Sequence, residues 1–422
     1  MILDRTTPPP SYPLESFSFP GSDKRIIEVN QNRVPALLIN NPQHPIVFFD
    51  LILESGRWHE SEPGIAFHAA KMLTEGTRKM NAEDISFAFE NLGSYIDIQP
   101  GLDNVSIKVY ALKKNLSATI DILIELIEDS IYPEDVFTIQ QEIRIQQIQQ
   151  QLSKNSQLAS IEFHHHLFGP NHPYGQKITP DIVAGIELDQ VKDYYHKSLF
   201  NQPKIVISGD LGNSEVQEIE RLIASLPALD IPFNQAKIDS SEGNYTVEKG
   251  GSQASVRIGH LSIDKNDPDI HITTVANSLL GGFFGSRLMK NVREEKGLTY
   301  GIHSSLIHFA HQSMYVISSE MAKDKLDQGM EAIQFEVNRL IETKPSQDEI
   351  HVLKSYLRGK LLATMDSVFS ISNLYKALFM INKDESFLHD YLDVLENMSP
   401  DQIQNATASQ LNITDSTTVI VS

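Results

Sequence analysis

The alternation of hydrophobic and polar stretches along the chain follows an order that occurs twice. In the first series, strand-like runs with apolar side chains alternate with segments of helical periodicity. The predicted strands lie at 46–53, 94–98, 104–112 and 203–210, and the predicted helices at 65–73, 84–91, 116–130 and from 133 onwards. The second series repeats this order, with strands at 254–260, 299–305, 313–319 and 417–421 and helices at 269–280, 286–295, 323–342 and from 346 onwards.

Two copies of one unit explain this order better than several unrelated domains. Adjacent strand pairs followed by consecutive helices predict an α+β fold, with two homologous half-units facing each other like a clam shell. Each half-unit is expected to be a largely antiparallel sheet packed against helices. Proline, glycine, serine and aspartate punctuate residues 226–251, which predicts a linker between domains at 1–225 and 252–422.

The glutamine-rich stretch 140–151 is predicted to be helical rather than unstructured. Its apolar residues keep roughly helical spacing, at Ile139, Ile143, Ile145, Ile148 and Leu152. We therefore expect an amphipathic helix whose solvent face is rich in glutamine.

Composition narrows the possible partners and sites. Lysine and arginine total 35 against 55 aspartate and glutamate, a net charge of −20, so neither nucleic acid nor an anionic membrane is an expected partner. The chain has no cysteine, so a metal site would have to use histidine, aspartate or glutamate. The first residues lack a basic segment followed by an apolar core, and no long apolar run is present, so we expect a cytoplasmic protein.

A glycine-punctuated segment follows the first predicted strand. It contains Glu54 and Gly56, then Gly64 before the predicted helix, and the pair Gly76-Thr77 after it. This pattern resembles the pitrilysin and insulinase zinc metallopeptidases, including the mitochondrial processing peptidase. Because the duplicated order of elements is also that family's architecture, the resemblance extends over essentially the whole chain.

The residues that carry the family's chemistry are missing here. The family has His-x-x-Glu-His on this helix, where the two histidines bind zinc and the glutamate acts as general base. Counted from Gly76-Thr77, those positions hold Phe67, Ala70 and Lys71. The family's third ligand, a glutamate, falls in the window 146–149, which ends at Gln149 and has no carboxylate. Starting the motif at His68 instead gives Lys71 and Met72, which also cannot form the site.

A rival metal site is offered by the triplet His164-His165-His166 with Glu162 and the nearby His172. Glu162 and His166 have the i, i+4 spacing of a helical zinc site. Adjacent histidines point in different directions on a helix, however, so a solvated helix end is the favoured interpretation.

In the second series, the run from 291 to 300 resembles the family's Arg and Tyr pair, at Arg293 and Tyr300. The resemblance implies that both contact the substrate backbone, since a guanidinium and a phenol can hydrogen-bond peptide carbonyls. In the alternative interpretation, Arg293 pairs with Glu294 or Glu295 and Tyr300 is an ordinary strand residue.

The resemblance therefore implies a non-catalytic, substrate-binding subunit of a heterodimeric zinc metallopeptidase that degrades or processes peptides. This chain would hold no cofactor, and zinc would lie in a homologous partner with an intact His-x-x-Glu-His motif. The alternatives are a structural pseudo-peptidase with no role in proteolysis, and an enzyme with a displaced metal site at the histidine triplet.

Overall fold

The computed structural model describes residue 19, residues 21–42 and residues 45–422. In this part of the chain, the first half-unit contains strands β1 to β6 and helices α1 to α8. The strands are β1 (Asp23–Val29), β2 (Asn32–Asn40), β3 (Ile46–Leu53), β4 (Tyr95–Pro100), β5 (Val105–Leu112) and β6 (Lys204–Gly209). The helices are α1 (Ile65–Lys71), α2 (Ala82–Asn91), α3 (Leu116–Asp129), α4 (Glu134–Ser153), α5 (Asn155–Phe168), α6 (Pro180–Ala184), α7 (Leu188–Lys197) and α8 (Asn213–Ser225).

The second half-unit contains strands β7 to β11 and helices α9 to α14. Its strands are β7 (Gly243–Val247), β8 (Gln253–Ser262), β9 (Thr299–His308), β10 (Ser313–Ala322) and β11 (Thr417–Val421). Its helices are α9 (Ile270–Asn277), α10 (Leu326–Glu342), α11 (Gln347–Ala363), α12 (Val368–Met380), α13 (Glu385–Asn397) and α14 (Pro400–Gln410). Short 3₁₀ turns lie at Arg57–His59, Met72–Thr74, Lys113–Asn115 and Lys323–Lys325, and π-helical turns lie at Ser278–Gly282 and Met289–Glu295.

The described strands form two largely antiparallel sheets. The first has the order β1-β2-β6-β3-β5-β4 and the second β7-β11-β8-β10-β9. Each sheet contains a single parallel pairing, β2 with β6 and β7 with β11, at corresponding positions. The predicted α+β fold with two homologous half-units is therefore confirmed.

The repeat places β7 in the position that β2 occupies in the first sheet. β7 lies inside the stretch 226–251, for which composition predicted a linker, and it pairs with β11 over its whole length. The boundaries at 225 and 252 stay predictions, and the second sheet includes residues that precede 252.

Each sheet is covered on both faces, because the half-units exchange one helix. The odd-numbered residues of β3, such as Phe49 and Leu51, pack against the helices of their own half-unit. Ile52 faces the other way and packs with Tyr375 and Phe379 of α12, which belongs to the second half-unit. Reciprocally, α5 of the first half-unit covers the second sheet. Its side chains Ala159, Phe163 and Leu167 pack against the sheet residues Met314, Val316, Val419 and Val421.

Polar contacts fix the exchanged helix α12 in place. The Lys376 ammonium donates to the carboxylate of Asp50 at 2.5 Å and to the hydroxyl of Ser106 at 3.3 Å. Asp50 lies on the central strand β3 and is only 1% exposed. Ser372 also donates to Ser208 on β6 at 2.6 Å. A buried ion pair thus connects the two half-units.

The glutamine-rich stretch is helical in α4, but the amphipathic prediction is wrong for two of its isoleucines. Ile139 and Ile143 are exposed, and Ile148 is buried. The helix meets α6 through a polar side chain instead, since Gln141 donates to two carbonyls of that region. Periodicity alone does not reveal which faces of a helix have a neighbour.

Among the helices of the described residues, none is both long enough and apolar enough to cross a lipid bilayer.

Candidate functional site

Helix α1, which carries the three degenerate motif positions, is held firmly at its N-terminus. Gly64 precedes it with a left-handed φ of 108°, a conformation that favours glycine. One carboxylate oxygen of Glu60 accepts the backbone N–H groups of Gly64 and Ala66, each at 3.0 Å. These bonds satisfy donors that a helix start leaves free.

The side chains at the three motif positions take part in packing and hydrogen bonding. The Phe67 ring lies under the Arg144 guanidinium, whose central carbon is 4.1 Å from the ring centroid. Ala70 is fully buried, and the Lys71 ammonium donates to the Ile98 carbonyl on β4 at 2.7 Å. Gln149, in the window for the third ligand, is exposed on α4.

This set of residues does not fit zinc. A phenyl ring and a methyl group offer no lone pair, and an ammonium repels a dication. Throughout the described residues, no group of three or more histidine, aspartate or glutamate side chains is arranged to hold a metal ion. The side chains at the three motif positions therefore cannot hold the zinc ion that the family's motif binds.

His68, the neighbour of Phe67, faces the core. It is 1% exposed, and its ring lies edge-on to Phe137 of α4 at a centroid distance of 5.5 Å. Neither ring nitrogen has a hydrogen-bond partner among the described residues. Burial, together with the positive charge of Arg144, lowers the pKa of His68 to about 4.

Replacing His68 by leucine is expected to stabilise the protein at acidic pH. The unfolded chain binds a proton below the ordinary pKa of 6.5, but folded His68 does so only near pH 4. The burial of His68 therefore lowers the free energy of unfolding as the pH falls from about 6.5 to about 4, by at most about 3 kcal/mol. Urea unfolding at pH 7 and pH 5 measures this. An unchanged difference between the two pH values in His68→Leu would show that other groups cause the acid sensitivity.

The histidine triplet near the end of α5 makes three separate sets of contacts. His166 stacks on Tyr245 with ring centroids 3.5 Å apart, and a ring nitrogen of His165 lies 3.1 Å from the Gly175 carbonyl oxygen. Glu162 lies 3.9 Å from His166 and binds the Lys177 ammonium more closely, at 2.6 Å. The His164 ring lies edge-on to Phe309 at a centroid distance of 5.9 Å. The three rings thus have different partners, and the Glu162 carboxylate that a displaced metal site would need is bound to the Lys177 ammonium.

Arg293 lies on the second π-helical turn, a type of irregularity that is frequent at functional sites. Its guanidinium stacks on Phe284, 4.9 Å from the ring centroid, and that ring is 64% exposed. Within the described residues Arg293 has no ion pair, so the alternative pairing with Glu294 or Glu295 does not occur in this structure.

Tyr300 lies near the start of β9, which is the edge strand of the second sheet. Its side chain is 88% exposed, and no described residue hydrogen-bonds its hydroxyl. The preceding Thr299 hydroxyl donates to the carbonyls of Gly301 and Glu320, where the pairing of β9 with β10 shifts register. Such irregularities re-aim side chains at sheet edges.

A partly buried ion pair supports the segment before Arg293. Arg287 donates twice to the Glu349 carboxylate, at 2.8 and 3.3 Å. Burial alone would raise the pKa of Glu349, but the bonds from Arg287 and from the Ser346 backbone lower it to about 2. Sequence reasoning missed this pair and also missed Arg144 and Phe284. Arg144 was visible only as the single arginine of a glutamine-rich helix.

The fold and these residues define a duplicated α+β protein with the framework of a zinc peptidase and without its metal ligands. Residues 36–179 match the family model "Insulinase (Peptidase family M16)", and residues 185–357 match "Peptidase M16 inactive domain". The chain belongs to the M16 (insulinase) family, as a degenerate member that has Phe67, Ala70 and Lys71 at the positions of the zinc motif.

Similar proteins carry differing names. "Non-peptidase homolog YmxG" of Helicobacter pylori is 25% identical, covering 94% of this chain and 93% of its own length. "Uncharacterized zinc protease YmxG" of Bacillus subtilis is 23% identical, with 93% and 97% covered. A crystal structure of a peptidase M16 inactive domain from Pseudomonas fluorescens has a TM-score of 0.85 at 24% identity, covering 94% of this chain and 98% of that one. That structure shows the shared fold alone.

Proposed function

We propose that this chain is the substrate-binding subunit of a heterodimeric zinc metallopeptidase that degrades or processes peptides. Its partner would be a homologous chain with an intact His-x-x-Glu-His motif, and that partner would supply zinc. Zinc bound there would activate water and polarise the scissile carbonyl. This chain would contribute donors that orient the peptide.

The observation that carries the proposal is the availability of Arg293 and Tyr300. A guanidinium that stacks on an exposed ring, without a carboxylate partner, keeps N–H groups free to donate. An exposed tyrosine on an edge strand lies where an extended peptide can add to a sheet through main-chain hydrogen bonds. Both groups can therefore bind peptide carbonyls, whereas Phe67, Ala70 and Lys71 cannot hold the metal that cleavage requires.

The proposal predicts that turnover requires both chains. The purified chain alone is expected to bind no stoichiometric zinc and to cleave no peptide. A zinc-bearing homologue with the intact motif is expected to gain activity as this chain is added, with saturation at one copy of each. Steady-state peptidase assays across a titration, together with metal analysis of each chain, measure this.

The scaffold alternative makes the opposite prediction. If the zinc-bearing homologue is equally active with and without this chain, the chain has no role in proteolysis. About one tight zinc in the isolated chain, lost on changing His165 or His166, would instead support a displaced metal site.

A further inference from the structure

We propose that a pocket between α4 and α5 binds a peptide carboxylate through Arg144 and Arg57. The inference rests on the proposed function only in taking a peptide as the carrier of that carboxylate. The pocket adjoins the degenerate motif, because Arg144 covers the Phe67 ring. It lies in the first half-unit, whereas Arg293 and Tyr300 lie in the second.

The lining of the pocket is cationic in an otherwise acidic protein. The pocket has a volume of about 230 Å³.

 Its lining contains two arginines and no aspartate or glutamate, although the chain carries a net charge of −20. The lining also includes the side chains of Gln151, Gln157 and Gln176.

Neither arginine has a carboxylate ion pair among the described residues. Arg57 donates from one terminal nitrogen to the carbonyls of Pro173 and Gln176, at 3.4 and 3.2 Å. Arg144 donates to the side-chain oxygen of Gln147 at 3.3 Å. Each guanidinium has five N–H donors, so donors remain on both side chains.

The two guanidinium groups also repel each other. Burial lowers the pKa of Arg144, and the positive charge of Arg57 lowers it further. The acidic group that acts on Arg57 is Glu60, whose carboxylate is directed at the start of α1. Glu162 and Lys177, which lie near His166, neutralise each other as an ion pair. A bound anion would therefore relieve a repulsion that the protein itself leaves in place.

A carboxylate is the anion that this arrangement favours. The planar fork of arginine matches the two oxygens of a carboxylate, and such charge-assisted bonds are stronger than neutral ones. Glutamine side chains in the lining can donate further hydrogen bonds. The carboxylate can come from the C-terminus of a peptide or from an acidic side chain, and both have the same chemistry.

The experiment uses the full chain and three labelled peptides of otherwise identical sequence. One has a free C-terminal carboxylate, the second a C-terminal amide, and the third an amide plus one internal glutamate. Fluorescence anisotropy is expected to show at least one of the carboxylate peptides binding about 10- to 100-fold more tightly than the neutral amide. The tighter of the two identifies the source of the carboxylate.

The substitution Arg144→Gln is expected to remove this preference, so that all three peptides bind like the neutral amide. Arg144→Lys keeps the charge but loses the planar guanidinium that can bind both carboxylate oxygens, so it should retain only part of the preference. The matched control Arg33→Gln removes an equally charged but exposed arginine and should leave the preference unchanged. Thermal melts confirm that each variant is folded.

Two results would overturn the inference. One is equal affinity of the wild-type chain for all three peptides. The other is an Arg144→Gln variant that remains folded and keeps the full carboxylate preference. Because the assay needs no partner chain and no cleavage, its outcome is separate from that of the heterodimer experiment.

Discussion

Replacing Lys376 by methionine is expected to lower the free energy of unfolding by about 3–5 kcal/mol. The ammonium of Lys376 compensates the charge of Asp50, which lies on the central strand of the first sheet and is 1% exposed. Methionine preserves the apolar stem of the side chain but removes the charge. Asp50 would then retain the Ser106 hydroxyl as a donor and lose its only cationic partner among the described residues.

Urea unfolding of the wild type and variant measures this loss. The double variant Asp50→Leu with Lys376→Met should recover most of the stability, because no unpaired buried charge remains. The control Lys197→Met removes an exposed pair with Asp193, at 2.7 Å, and should change stability by less than about 1 kcal/mol. If Lys376→Met changes the free energy of unfolding by a comparably small amount, the ion pair between Lys376 and Asp50 does not support the fold.

In the complex with a zinc-bearing partner, Arg293→Ala or Tyr300→Phe is expected to lower peptide turnover by about 10- to 1000-fold. This is the range for losing a positioned hydrogen-bond donor that stabilises developing charge. Arg293 and Tyr300 make few contacts within the chain, so the variants should fold normally and the partner should keep its zinc. Steady-state kinetics with one defined peptide measure kcat and kcat/KM for each variant.

Two controls match these substitutions. Tyr95→Phe removes a hydroxyl from an exposed tyrosine on β4, the edge strand of the first sheet, and Arg33→Ala removes an exposed arginine elsewhere. Both should leave turnover unchanged. If Arg293→Ala and Tyr300→Phe also turn over peptide at the wild-type rate, the substrate-binding proposal fails and the scaffold alternative gains support.

Much of the fold was predictable because its signals are local. Periods of two and 3.6 residues located most strands and helices, and the repeated order predicted the two half-units. The start of α11 was readable from Ser346 and Glu349, which form a reciprocal capping box in the structure. The loss of the zinc site was also readable, because ligation depends on the residue types themselves.

The tertiary structure decided which faces of these elements are covered. No local pattern indicates that α5 packs on the second sheet and α12 on the first, or that Ile139 and Ile143 of α4 are left exposed. The strand β7 lies in a stretch with loop-like composition, so the sequence did not predict it. Its pairing with β11, which is distant in the chain, stabilises it as a strand.

The same division holds for the candidate sites. The sequence by itself determined that Phe67, Ala70 and Lys71 cannot bind zinc, because donor atoms are fixed by residue type. Only the tertiary structure placed Arg144 over Phe67 and beside a pocket with Arg57, and left Arg293 without an ion pair. These facts depend on distances between residues far apart in the chain, which side-chain chemistry and periodicity do not encode.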